Sequence, residues 1–294
     1  MLDKVTVPLP KSTHHPRLRT SPHQKNHPVL SIQADQSKGA PIGLLDGKVA
    51  LITGGGKGIG FGIASAFAEQ GAKLFITGRT ESRLADAAEK LTGEYGTEVA
   101  YTVAEGSDES QVKAALAKCV EHFGKLDVMV NNAQASKSGT NLVDHTREDF
   151  DLAINSGLYS TFFYMKHAFP ELKKTKGCVV NLASGAGLFG KPGQSSYAAA
   201  KEGIRGITRV AATEWGPDGV RVNCLCPLAM TEQLTAWKEA YPDTFEATIK
   251  GIPLGRFGDP KTDIGGVAVF LASDLAAYVS GETIVAQGGS GLRP

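Results

Sequence analysis

No stretch of this chain approaches the roughly 18 uninterrupted apolar residues that a membrane-spanning helix needs, and its first residues lack the apolar core of a secretory signal. The expectation is a cytoplasmic protein with no membrane partner. Charge of one sign is lacking too: 31 basic residues stand against 30 acidic ones, which removes the broad electrostatic field that recruits nucleic acid. Cysteine is scarce, with four residues in 294, so no disulfide framework is expected. Cys224 and Cys226 fall on alternate positions of an apolar strand-like run and would face the same side. With no other ligand cluster accompanying them, they read as core thiols, and no metal site is expected. What the chain does have, 41% hydrophobic and 21% charged residues, suffices for one large α/β domain with a sizeable core.

Residues 1 to 40 differ from everything after them. Proline recurs at Pro8, Pro10, Pro16, Pro22 and Pro28, and His14, His15, His23 and His27 cluster there. Such a segment cannot bury a core and reads as a disordered extension, with a spacer or an organelle-targeting role left open. The remaining residues, 41 to 294, form the expected catalytic domain. In it short β-rich runs alternate with helical segments: VALIT at 49 to 53, a helix from about 58 to 70, KLFIT at 73 to 77, another helix, then VAYTVA at 99 to 104. Further on come LDVMVNN at 126 to 132, a long helix through 150 to 174, GCVVNLAS at 177 to 184, a helix around 196 to 215, and VRVNCLC at 220 to 226. This order predicts a doubly wound parallel sheet with helices on both faces, in a single domain. Ligands of such sheets bind beyond the carboxyl ends of the strands.

The segment ITGGGKGIG, residues 52 to 60, joins the first of these strands to the first helix. Gly54, Gly58 and Gly60 permit a tight turn and close backbone approach, and the N–H groups around Ile59 at the helix start suit a pyrophosphate. After the second strand the sequence reads ITGRT, with Arg79 where an NAD site commonly carries an acid. Together with Lys57 it offers two cations for a 2′-phosphate, so NADP(H) is expected over NAD(H). The bland alternative is that both are ordinary solvated cations.

Ser184 is the last residue of GCVVNLAS, and Tyr197 and Lys201 sit one helical turn apart in YAAAK. An ammonium beside a phenol favours its phenolate, bringing it into range for proton exchange with a bound hydroxyl or carbonyl. With TGGGKGIG at 53 to 60, NNA at 131 to 133, Asn155 in INSG and RVNCLCP at 221 to 227, the set resembles the short-chain dehydrogenase/reductase family over essentially residues 45 to 290. Within that family the chain is similar to the reductases of 3-oxoacyl thioesters and their ketone-reducing relatives. The resemblance implies a Rossmann-like fold, a homotetramer or homodimer packed through the long helices, and a small-molecule carbonyl or alcohol substrate. It further implies that Tyr197 is the general acid and base and that Ser184 polarises the substrate oxygen. Lys201 would contact the nicotinamide ribose and lower the tyrosine pKa, while Asn155 would hold a relay water. Asn132, Pro227 and Thr231 join the implied cofactor contacts.

Three positions depart from the family pattern. Gln134 replaces the usual glycine after NNA; AEGSDES follows the third strand where an Asp beside the adenine is common, so that role falls to Glu105 or shifts altogether; and CPLAMTE has Leu228 at a customary Pro-Gly turn, with Thr231 one position early. Residues 228 to 258 form an expected helical lid, with Leu234, Trp237, Tyr241, Phe245 and Ile249 as an apolar stripe. With Leu188 and Phe189 this predicts a largely apolar substrate surface; no charged residue stands out as a carboxylate or phosphate anchor, which leaves Lys191 and Lys238 open for that role. The rival from another class is a non-catalytic nucleotide-binding regulator of the same fold.

Overall fold

The computed structural model describes Leu30–Ile32 and residues 43 to 291. Its first half runs β1 (Leu30–Ile32), β2 (Val49–Thr53), α1 (Gly58–Glu69), β3 (Lys73–Gly78), α2 (Glu81–Tyr95), β4 (Val99–Val103), α3 (Glu109–Phe123) and β5 (Val128–Asn131). Then come α4 (Arg147–Ala153), α5 (Ser160–Thr175), β6 (Cys178–Leu182), α6 (Gly185–Phe189), α7 (Ser195–Trp215) and β7 (Arg221–Pro227). The helices α8 (Glu232–Ala240), α9 (Pro242–Lys250) and α10 (Gly266–Ala272) precede β8 (Thr283–Ala286).

The strands form one sheet in the order β1-β4-β3-β2-β5-β6-β7-β8. From β4 to β8 every pairing is parallel. Strands covered on both sides need apolar residues at every position, and β2, β5 and β6 are buried throughout. Alternate residues serve opposite layers: Ala50 and Ile52 pack towards α1, α2 and α10, whereas Val49 and Leu51 pack towards α3, α5 and α7. The expected Rossmann-like architecture is what the chain adopts. Cys224 and Cys226 are buried free thiols packed with Ala183 and Ile204, as their alternation predicts. Among the described residues no helix is long and apolar enough to cross a membrane.

Two expectations need correction. The helix predicted through 150 to 174 is broken: between α4 and α5 the backbone opens into a π-helical turn, Ile154–Tyr159, around Asn155. Inside the segment expected to be disordered, Leu30–Ile32 pairs antiparallel with β4 and covers that edge of the sheet. The preceding Pro28 masks this strand in the sequence. The rest of the 1 to 40 expectation lies outside the described residues.

Candidate active site

The crevice opens where β2 meets β3 on one side and β5 on the other, the point at which strand order reverses. Gly54 and Gly58 have φ of 67° and 55°, values that disfavour any side chain. At Gly60 a β-carbon would run into the Gly54 carbonyl and the Asn132 amide. Thr53 stitches the loop to β5: its hydroxyl accepts the N–H groups of Asn132 (2.9 Å) and Ala133 (3.0 Å), and the Asn132 amide donates to the Thr53 carbonyl (2.9 Å). Asn132 therefore braces the glycine loop. No side chain caps the first turn of α1, which starts at Gly58 after an extended Lys57. Its backbone donors, beside a cradle that a Cβ would fill, fit the phosphates of a dinucleotide.

Lys57 and Arg79 are both exposed, and Arg79 has no ion pair with any described residue. A cleft of about 230 Å3 beside the loop is lined by Lys57, Arg83 and Lys90, with Asp86 and Glu232 opposing them. Arg83 is a cation that the sequence reading missed; it stands one turn into α2 after Arg79. Glu105 is half-buried past β4, its N–H bonded to the Gln111 amide and its carboxylate to the Ser107 N–H.

At the end of β6, Ser184 caps α6 by accepting the Ala186 N–H at 3.2 Å. Tyr197 and Lys201 stand on the first turns of α7, with the Lys201 Nζ 5.6 Å from the tyrosine ring centre. Lys201 is 4% exposed and donates to the Leu182 carbonyl. Burial presses its pKa down to about 8. Burial raises the Tyr197 pKa, and the Ser184 hydroxyl beside it acts in the opposite direction. Asn155 is exposed on the π-helical turn, its carbonyl accepting the Ser160 N–H.

The departures have structural answers. The Gln134 side chain lies against Gly157 of the π-helical turn, both amide atoms buried without a partner. Leu228 is held by a 2.9 Å bond to the Ala286 carbonyl and by the Gly258 N–H. Thr231 caps α8 and sets its methyl against Gly58, while Pro227 ends β7 beside Ala286. In the segment from 228 to 258, Leu234, Trp237, Phe245 and Ile249 close onto Ile252 and Phe257 as a separate apolar cluster. Tyr241, expected in that stripe, is 59% exposed because it stands at the break between α8 and α9. Lys238 packs over the Phe245 ring at 5.3 Å and Lys191 is exposed. Leu188 is half-buried, and Phe189 lies on the backbone of Gly291. Sequence reasoning also missed Gln287, buried against Gly185, and His145, because their partners are distant in sequence.

Residues 54–290 match the family profile described as enoyl-(acyl carrier protein) reductase. The chain belongs to the short-chain dehydrogenase/reductase family and is an oxidoreductase; the family works with nicotinamide cofactors. It is 56% identical over 259 residues to a 12alpha-hydroxysteroid dehydrogenase of a Clostridium species, covering 86% of this chain and all of that one. A 3-oxoacyl-(acyl-carrier-protein) reductase of Chlamydia muridarum is 36% identical over 247 residues, covering 84% of this chain and 98% of the relative. Among solved structures, levodione reductase superposes with a TM-score of 0.79 at 33% identity, over 84% of this chain and 98% of that chain.

Proposed function

We propose that this chain is an NADP(H)-dependent dehydrogenase and ketone reductase acting on a largely apolar secondary alcohol or carbonyl compound of the hydroxysteroid class. The observation that carries the reading is the convergence of Ser184, Tyr197 and the buried Lys201 at the end of β6, beside a glycine loop shaped for a dinucleotide. When bound, NADP(H) supplies or accepts the hydride. In reduction the Tyr197 hydroxyl gives its proton to the substrate oxygen, while the Ser184 hydroxyl donates a hydrogen bond to the same atom. In oxidation Tyr197 takes that proton back. Lys201, moved towards neutral pH by burial, exchanges protons with solvent through a water held at Asn155.

The N–H groups of Gly58, Ile59 and Gly60, with Gly54 giving room, hold the pyrophosphate. Lys57 and Arg79 hold the 2′-phosphate, Tyr197 and Lys201 meet the nicotinamide ribose, and Asn132, Pro227 and Thr231 flank the rest. Leu188, Phe189 and a lid of residues 228 to 258 exclude water from an apolar substrate. The 56% identity to a 12alpha-hydroxysteroid dehydrogenase supports the substrate class, and a homo-oligomer in the cytoplasm completes the reading. The presence of Ser184, Tyr197, Lys201 and Asn155 together speaks against the non-catalytic regulator.

The test is oxidation of NADPH and NADH, followed at 340 nm, against oxosteroids, other cyclic ketones and 3-oxoacyl thioesters. NADPH-linked turnover of an oxosteroid is expected, with a loss of about a hundredfold or more in Tyr197→Phe. Preference for NADH, or for the thioesters, would refute the cofactor or the substrate assignment respectively. Turnover undiminished in Tyr197→Phe would remove the tyrosine from its role.

A further inference from the structure

The loop that leaves β5 at the cofactor crevice runs past Gly139 to α4, and it is sewn to the segment entering α7. The Gly139 N–H donates to the Gly193 carbonyl at 2.8 Å, and Thr140 and Gln194 form a parallel bridge. One side chain completes the seam. His145 places Nδ1 3.2 Å from the Asn141 carbonyl and 3.3 Å from the Ser195 hydroxyl, and Nε2 3.2 Å from the Ser196 hydroxyl. A carbonyl only accepts, so Nδ1 carries the proton in the neutral ring, and Nε2 accepts from Ser196. Ser196 is fully buried and immediately precedes Tyr197. The Phe150 ring meets the imidazole edge-on at 5.6 Å and holds its plane.

The first turn of α7 has few other restraints. Gln194, at its N-cap, makes no side-chain capping bond, and no acidic residue stands in the first turn. The position of the Tyr197 hydroxyl over the substrate oxygen thus depends on where Ser195 and Ser196 are held. We propose that His145 is a positioning residue for proton transfer at Tyr197, latching the loop after β5 to the start of the helix that carries the tyrosine. The inference rests on the reading given under Proposed function. Misplacing a reacting group by an ångström is expensive in rate, whereas the glycine loop assigned above to the pyrophosphate of the cofactor lies at the start of α1 and is left in place.

Three variants test it: His145→Phe, which keeps a ring but no hydrogen bond; His145→Gln, whose amide can still accept from Ser196; and Ser196→Ala. In His145→Phe, kcat should fall about tenfold with NADPH affinity by fluorescence unchanged, and amide hydrogen exchange in residues 196 to 201 should quicken. His145→Gln should restore kcat to within about twofold, and Ser196→Ala should add nothing to the loss in His145→Phe because the bond it removes is already among those that His145→Phe breaks. Wild-type kcat and exchange in His145→Phe would overturn the proposal, as would a His145→Gln variant no better than His145→Phe. A parallel loss of NADPH affinity would reassign His145 to general folding and overturn it as well. Absence of turnover in the unsubstituted protein would strike the function assigned above, whereas exchange at 196 to 201 needs no substrate and decides the latch by itself.

Discussion

Burying an ammonium is costly unless its donors are satisfied, and Lys201 has one protein acceptor among the described residues, the Leu182 carbonyl. Its pKa of about 8 in the fold lies below the value near 10.4 of an unfolded lysine. Between the two the unfolded chain binds more protons, so stability rises with pH across that window, and the whole penalty is present below about pH 8. Lys201→Met should accordingly raise the melting temperature at pH 7, and the gain should shrink towards nothing at about pH 10.5, while turnover falls by about a hundredfold or more. Thermal unfolding of both proteins at pH 7, 9 and 10.5 measures this; a gain independent of pH would locate the effect in packing. Tyr197 and Lys201 were legible as a candidate pair because they are one turn apart in a strongly helical segment. Their electrostatics were not, since the Leu182 carbonyl that claims the ammonium lies 19 residues away in sequence.

At the level of elements, the alternation of apolar runs and helical periods revealed six of the seven parallel strands, β2 to β7, because strands buried on both faces carry a nearly continuous apolar signature, whereas β8 (Thr283–Ala286) is only partly buried and was not read. The π-helical turn left no such mark. INSGLY is too short to interrupt the helical period on either side of it, and the turn shows only where Gly157 meets the Gln134 side chain. Those two positions explain each other: the bulky Gln134 amide needs a glycine opposite it. A β-carbon at Gly157 would come within 2.7 Å of the Gln134 Cδ, and the amide is buried with little freedom to retreat. Gly157→Ala should destabilise the protein by about 1–3 kcal/mol. Adding Gln134→Ala should return stability to at least the starting value, since alanine is a better helix former than glycine by about 1 kcal/mol. Denaturant unfolding of the two variants checks the coupling; additive losses would mean that the contact carries no strain.

Among the apolar side chains exposed in the described residues, one set lies on the long helices and another around the β8 edge. On α5 and α7 and the turn before them, Tyr159, Phe162 and Val210 are 48%, 42% and 56% exposed. Around the β8 edge, Leu275 and Tyr278 are 66% and 105% exposed and Val285 is 42% exposed. At the other end of the sheet the outermost strand is the three-residue β1, paired with β4. Fully burying a large apolar side chain is worth about 1.5–3 kcal/mol, and closed symmetry uses each such patch against its own copy. One patch used this way makes a dimer; two different patches, each about its own twofold axis, make a tetramer. The expected state is therefore a tetramer, measured by sedimentation equilibrium, and the two patches should fail independently. Phe162→Glu together with Val210→Glu should leave a dimer held through the β8 edge, and Tyr278→Glu together with Val285→Glu a dimer held through the helices. Combining all four should yield monomers. A monomer without any substitution would show that neither patch serves assembly, and a dimer abolished by one pair alone would assign the interface to that pair.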